Sequence, residues 1–120
     1  MILFETNKTK SRGNCLVSCL ASLVNLNVEQ IPCFEDLPKG EWKYALPKWL
    51  FSRGYQLVKR KSPRLNGQYC IGVGFYNGGR HAMIFLDGKP FHDPAKVSDH
   101  RTPIVRMDME YYFYIDKIEQ

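Results

Sequence analysis

No apolar run in this chain approaches the ~18 residues that a membrane-crossing helix needs, so the sequence predicts no transmembrane helix. The opening Met1-Ile2-Leu3-Phe4-Glu5 lacks a basic stretch followed by a long apolar one, so no signal peptide is expected either. The location these absences predict is the cytoplasm. There is no internal repeat and no low-complexity tract, which sets aside solenoid, collagenous and disordered classes. Histidine is scarce, with three residues, and no Gln precedes position 30. The cysteines number four (Cys15, Cys19, Cys33 and Cys70), and in a reducing compartment they are read as free thiols rather than bridges.

What remains is enough for one core. The length of 120 residues and a hydrophobic fraction of 44% predict a single domain over 1–120. At this size a domain buries roughly 65% of its unfolded surface, so it folds without a disulfide or metal. The net charge is +5, with a dense stretch at Lys59-Arg60-Lys61-Ser62-Pro63-Arg64. No nucleic-acid-binding motif accompanies it, and Pro63 with Asn66-Gly67 marks a turn. The stretch is therefore read as a solvated loop, and a nucleic-acid partner is not expected.

The first helix is the clearest element. Asn14 is a good N-cap type, and Leu16, Val17, Leu20, Leu23 and Val24 make a buried stripe over about 15–25. Cys15, Cys19 and Ser22 form a second stripe of small side chains that lets another element approach. Asn25 to Asn27 end the helix. An acidic loop over 35–40 leads to a second helix over 41–53, with Trp42, Leu46, Trp49 and Leu50 inward and Gly54 as the stop. Pro47 lacks a donor for the carbonyl four residues back and threatens to split that helix.

From Tyr55 the period becomes two. Strands are predicted from Tyr55, over Tyr69–Tyr76, over His81–Leu86, at Phe91-His92-Asp93, and from Ile104–Met107 and Tyr111–Ile115. Gly72 and Gly74 point to a close neighbour on one face. Asn77-Gly78-Gly79-Arg80 and Asp87-Gly88 read as turns. Helices first and hairpin-linked strands afterwards define an α+β domain, with the Cys-bearing N-terminal helix packed on an antiparallel sheet.

Cys15 stands where a nucleophilic thiol belongs. At a helix N-terminus, unpaired N–H groups and the macrodipole favour the thiolate, and a nearby imidazolium lowers the thiol pKa from ~8.5 toward ~4–7. His81, at the start of an apolar strand, is the candidate base. His92 points away from its neighbour Asp93, and His100 lies in the polar Ser98-Asp99-His100-Arg101 loop. Asp93, in His92-Asp93-Pro94, is the candidate for holding the second imidazole nitrogen. That role carries a geometric condition. A regular two-residue Asp87-Gly88 turn leaves Asp93 opposite Ala82, with its side chain on the face away from His81. Only a longer loop or a bulge, which Pro90 favours, brings the two together. For the oxyanion, the Cys15 N–H is one donor and the Asn7 amide the candidate second, since Asn14 is engaged as a cap.

Gly13-Asn14-Cys15-Leu16-Val17-Ser18-Cys19-Leu20-Ala21-Ser22-Leu23 with Ile31-Pro32, together with His81-Ala82-Met83-Ile84-Phe85 and His92-Asp93-Pro94, resembles small papain-like proteins of bacteriophage and bacterial genomes. The pattern is similar to the leader-peptidase domains of bacteriocin exporters. The resemblance spans about positions 7 to 94. It implies a papain-like fold and a thiol hydrolase with Cys15 as nucleophile, His81 as base and Asp93 as orienter. Such an enzyme cleaves a peptide, isopeptide or related amide through a thioester and needs no cofactor or metal. It also implies a phage-encoded protein in the host cytoplasm, acting on a host protein or peptide. The departure is the Gln such enzymes place upstream of the Cys; here Asn7, or less suitably Thr9, stands in its place.

Two other readings remain. Cys15, Cys19, Cys33, His81 and His92 are zinc-ligand types, but they lack two close pairs, and Cys19, Cys33 and Cys70 read as small core residues. The alternative to an enzyme is a papain-like binding protein that inhibits a host factor by occupation. The segment 35–50, with Trp42, Tyr44 and Trp49, is the candidate substrate groove.

Overall fold

A computed structural model describes residues 15–76, 79–94 and 107–119. Helix α1 (Cys15–Val24) forms as its periodicity predicts, and its burial goes further than one stripe. Ser18, Cys19, Ala21 and Ser22 are buried beside Leu16, Val17, Leu20 and Val24, while Leu23 is only half-buried. The small stripe is thus part of the interface. Ser22 Oγ donates to the Ser18 carbonyl at 3.0 Å, which satisfies its hydroxyl inside the core. At the C-terminus Asn25 takes φ +56°, and the Leu26 N–H returns to the Ala21 carbonyl at 3.2 Å. That pairing is the six-to-one bond of a Schellman motif, with Asn in the left-handed position.

Helix α2 (Trp42–Ser52) runs through Pro47 without splitting, contrary to expectation. The carbonyl that Pro47 leaves free belongs to Lys43, an exposed residue whose main chain water can reach. Leu46 and Leu50 are buried, and Trp42 and Trp49 are half-buried at the edges of the contact. Trp42 meets Phe113 edge-on, and Trp49 meets Phe34 in the same way. Arg53 and Gly54 close the helix through N–H bonds to Leu50 and Phe51.

The sheet is antiparallel throughout, in the order β1-β5-β2-β3-β4, with β1 Tyr55–Arg60, β2 Tyr69–Tyr76, β3 Gly79–Leu86, β4 Lys89–His92 and β5 Asp108–Lys117. Strand β3 starts at Gly79, so Gly79 and Arg80 pair in the ladder rather than forming the predicted turn; Asn77 and Gly78 lie outside the described residues. Of the predicted strand over 104–107, only Met107 is described, and it precedes β5. The last strand enters the middle of the sheet between β1 and β2, which explains why Tyr111 to Tyr114 are buried on both faces.

Ile71, Val73, Ala82, Ile84, Tyr111 and Phe113 face the layer of α1 and α2. On the other face Cys70, Met83, Phe85, Tyr112 and Tyr114 form a second cluster. The glycine signal is explained here, because the Phe85 ring lies where a Gly72 side chain would be. This second face is covered by the segment after β1. The Arg64 N–H donates to the Tyr114 hydroxyl at 2.6 Å, and its guanidinium lies 4.5 Å from that ring and 3.0 Å from Asp116 Oδ1. The basic stretch is therefore divided: Lys59, Arg60 and Lys61 are exposed as expected, but Arg64 is a structural residue. Among the described residues no helix is long and apolar enough to cross a membrane.

Candidate active site

The hairpin of β3 and β4 meets the condition set by the sequence through a bulge, one of the two routes expected. The turn is a regular two-residue one: Leu86 pairs with Lys89, Phe85 with Pro90, and Asp87 and Gly88 take φ +50° and +78°. This is the left-handed pair of a type I′ turn. Continued regularly, it would set Asp93 opposite Ala82. Instead the register shifts between Ile84 and Phe85, so that Ile84 faces His92 and Phe91 is the extra residue. Pro90 has no N–H for the ladder, so the register slips next to it at little cost. Asp93 directly follows His92, the last paired residue of β4, so the shift frees it from the position opposite Ala82. The Asp93 carboxylate then lies 2.8 Å from His81 Nε2, with side-chain exposures of 8% and 12%. His81 and Asp93 are thus paired by a bulge rather than by a longer loop.

Cys15 is the first residue of α1 and is half-buried. It opens into a pocket of about 210 Å³ whose walls include His81, Ala82, Glu35, Trp42 and Tyr111. The structure therefore brings Cys15, His81 and Asp93 to one place, Asp93 through the imidazole. His92 sits in β4 opposite Ile84. Asn7, Thr9, Asn14 and His100 lie outside the described residues. The predicted groove residues separate: Trp42 lines the pocket, Tyr44 projects into solvent with 80% exposure, and Trp49 packs on Phe34 instead. Cys19 and Cys70 are buried, on opposite faces of the sheet, while Cys33 is exposed rather than a core residue.

Glu35 is the residue that the sequence did not single out. A short 3₁₀ turn (Phe34–Asp36) anchors Phe34 in the core and turns Glu35 toward the start of α1. Its Oε1 accepts the Val17 N–H at 3.1 Å, and its Oε2 accepts the Cys15 thiol at 3.7 Å. The carboxylate fills the anion position of the helix N-terminus. This reverses the electrostatics expected for Cys15. The thiol pKa is pushed up to about 12, first by burial and then by the Glu35 charge, against which the Ala82 and Leu16 N–H groups act. Burial also raises the Glu35 pKa, with the Val17 and Leu16 N–H groups opposing it. Burial and the Glu35 charge thus favour the neutral thiol form of Cys15.

No local pattern distinguishes Glu35 from Asp36 beside it. The signal lies in the third dimension, in an unpaired helix start that needs an acceptor. Comparison of the chain with protein-family models, curated proteins and solved structures gives no significant match.

Proposed function

We propose that the protein is a papain-like thiol hydrolase that cleaves a peptide, isopeptide or related amide bond of a bacterial host protein. The observation that carries this reading is the bulge that pairs Asp93 with His81 at 2.8 Å beside the pocket of Cys15. A buried carboxylate on Nε2 fixes the proton there and leaves Nδ1 as the basic nitrogen. In the proposed reaction Nδ1 takes the Cys15 proton as the sulfur attacks the amide carbon. The imidazolium then protonates the leaving amine, which departs and leaves a thioester. Water, deprotonated by the same nitrogen, cleaves the thioester and returns the thiol. Because burial and Glu35 favour the neutral thiol, proton transfer accompanies attack in this proposal, as in a serine enzyme. The Cys15 N–H at the helix start is the oxyanion donor among the described residues.

The test is a comparison of new amino termini and released amines in bacterial lysate treated with wild type, Cys15→Ala or His81→Ala protein. Products formed by wild type alone are expected. Identical profiles for all three proteins overturn the hydrolase. One observation favours the second reading, a papain-like protein that inhibits by occupation: Glu35 holds the Cys15 thiol in its least reactive form. On that reading the identical profiles come with stoichiometric capture of one host protein by wild type and Cys15→Ala alike.

A further inference from the structure

A second and larger hollow, of about 450 Å³, adjoins the Cys15 pocket. Trp42, Arg80 and Tyr111 line both, so the two lie side by side. Its floor is aromatic, with Phe113 beside Tyr111 at 4.7 Å between ring centroids. Its walls carry Lys43 from α2, Lys59 and Lys61 from β1 and the residues after it, and Arg80 from β3, against the single carboxylate of Glu110. Glu110 is bonded to Arg80 at 3.2 Å. Among the described residues none of the three lysines has a carboxylate partner, and Lys59 Nζ rests 4.4 Å from the centre of the Tyr111 ring.

From this we infer that the hollow is a substrate subsite that takes an acidic stretch of polypeptide next to the bond presented to Cys15. The inference rests on the reading of Cys15 as the reacting residue, and it names the class of substrate. Like charges gathered at one concavity repel one another in the free protein, and an anionic occupant relieves that repulsion. The volume falls within the ~300–1,000 Å³ of sites for compact ligands, which suits a few residues of extended chain. A nucleic acid fits less well. Even single modules bury roughly 600–1,000 Å² on nucleic acid and track the phosphates along a stripe, whereas these cations ring one short hollow. The aromatic floor suits an acidic segment with apolar side chains between its carboxylates. The four cations come from three separate parts of the chain, Lys43 from α2, Lys59 and Lys61 from the end of β1 and beyond, and Arg80 from β3, so the preference is a property of the fold and not of the 59–64 run alone.

The experiment measures binding without turnover, using the Cys15→Ala full chain. A short fluorescein-labelled peptide of alternating Glu and Phe is compared with its Lys-and-Phe counterpart and with a short oligothymidine, by anisotropy at about 50 mM and about 500 mM salt. The acidic peptide is expected to bind at least ~10-fold more tightly than the basic one, and the preference is expected to fade at high salt. The double variant Lys59→Glu/Lys61→Glu should remove the preference. Lys48→Glu, on the exposed side of α2 away from the hollow, should leave it intact. All three are exposed positions, and circular dichroism checks that each variant is folded. Equal binding of the acidic and basic peptides, tighter binding of the oligothymidine, or a preference that survives charge reversal overturns the subsite. Because no cleavage is read, a protein that proves catalytically inert can still show the preference. Conversely, a confirmed hydrolase can fail this test.

Discussion

Replacing Glu35 with Gln isolates the charge at the start of α1 while keeping its shape. The amide oxygen can still accept the Val17 N–H, now 3.1 Å from Oε1, so the helix keeps its acceptor. Losing the charge–dipole part of that contact costs about 0.3–1 kcal/mol. The consequence for Cys15 is larger. A carboxylate oxygen 3.7 Å from the sulfur opposes a thiolate by about 4 kcal/mol at an effective dielectric near ~20. At ~1.4 kcal/mol per unit this is an upper bound of about three pKa units. Both groups are half-buried, so solvent screens part of it. A fall of about one to two units remains. Burial, the larger cause of the value near 12, is untouched by the substitution. The Cys15 pKa of the variant should therefore settle at about 10–11, still above the ordinary thiol range.

The assay is the pH dependence of iodoacetamide alkylation, followed at the Cys15 peptide by mass spectrometry because Cys33 is exposed and reacts as well. At a fixed pH near 8 the thiolate fraction rises about 10- to 100-fold. The rate should rise by less, since a thiolate of lower pKa is a weaker nucleophile. An unchanged profile refutes the role given to Glu35. A fall to about 8 or below refutes burial as the main cause, because then the carboxylate alone held the thiol up. Either result would require a different account of why the start of α1 does not generate a thiolate.

Three further outcomes test other parts of the structure. Asp93→Asn keeps a polar group near His81 Nε2 but lets the imidazole take the wrong tautomer, so any hydrolysis should fall by roughly 10²–10⁴-fold with the melting temperature within a few degrees; equal activity would sever Asp93 from the mechanism. Deletion of Phe91 removes the extra residue of β4, so a regular ladder should return Asp93 to the level of Ala82 and lower activity as far as Asp93→Ala does, with the Asp87-Gly88 turn retained by NMR. Arg64→Ala removes bonds to Asp116 at 3.0 and 3.2 Å and to Gln68 at 2.9 Å, and should cost about 1–2 kcal/mol in urea unfolding, discounted for partial exposure. Asp116 gives this last variant a pH signature. Desolvation raises its pKa, but the Arg64 and Gln68 bonds and the Arg64 charge together outweigh it and leave it lowered. A lowered acid stabilises the fold above its unfolded pKa and loses that contribution as pH falls through the folded one. The wild-type advantage over Arg64→Ala should accordingly shrink below about pH 4.

The elements legible in the sequence are those whose signal is local. The α1 stripe, the Asn25 stop, the alternation of β2 and the Asp87-Gly88 turn each depend on residues a few positions apart, and each forms where the pattern places it. The site depends on longer separations. Asp93 reaches His81 because a turn that favours regular pairing is followed by Pro90, which does not. The sequence poses that competition but does not decide it, since the outcome depends on what the slipped strand gains. Phe91, displaced by the slip, lies 4.8 Å from the Tyr69 ring across the sheet, a contact that stabilises the shifted register. Glu35 lies 18 residues from the N–H it accepts, in a turn whose composition says only that it is acidic. A helix start invites an anion whatever its source. The dipole expected to ionise Cys15 instead binds a carboxylate, whose charge adds to burial in favouring the thiol. The ionisation of Cys15 therefore answers first to its burial and then to the anion at the start of α1. On the proposed mechanism an oxyanion held by the Cys15 N–H develops in the same helical turn whose Val17 N–H the Glu35 carboxylate already occupies, so the two negative charges oppose each other.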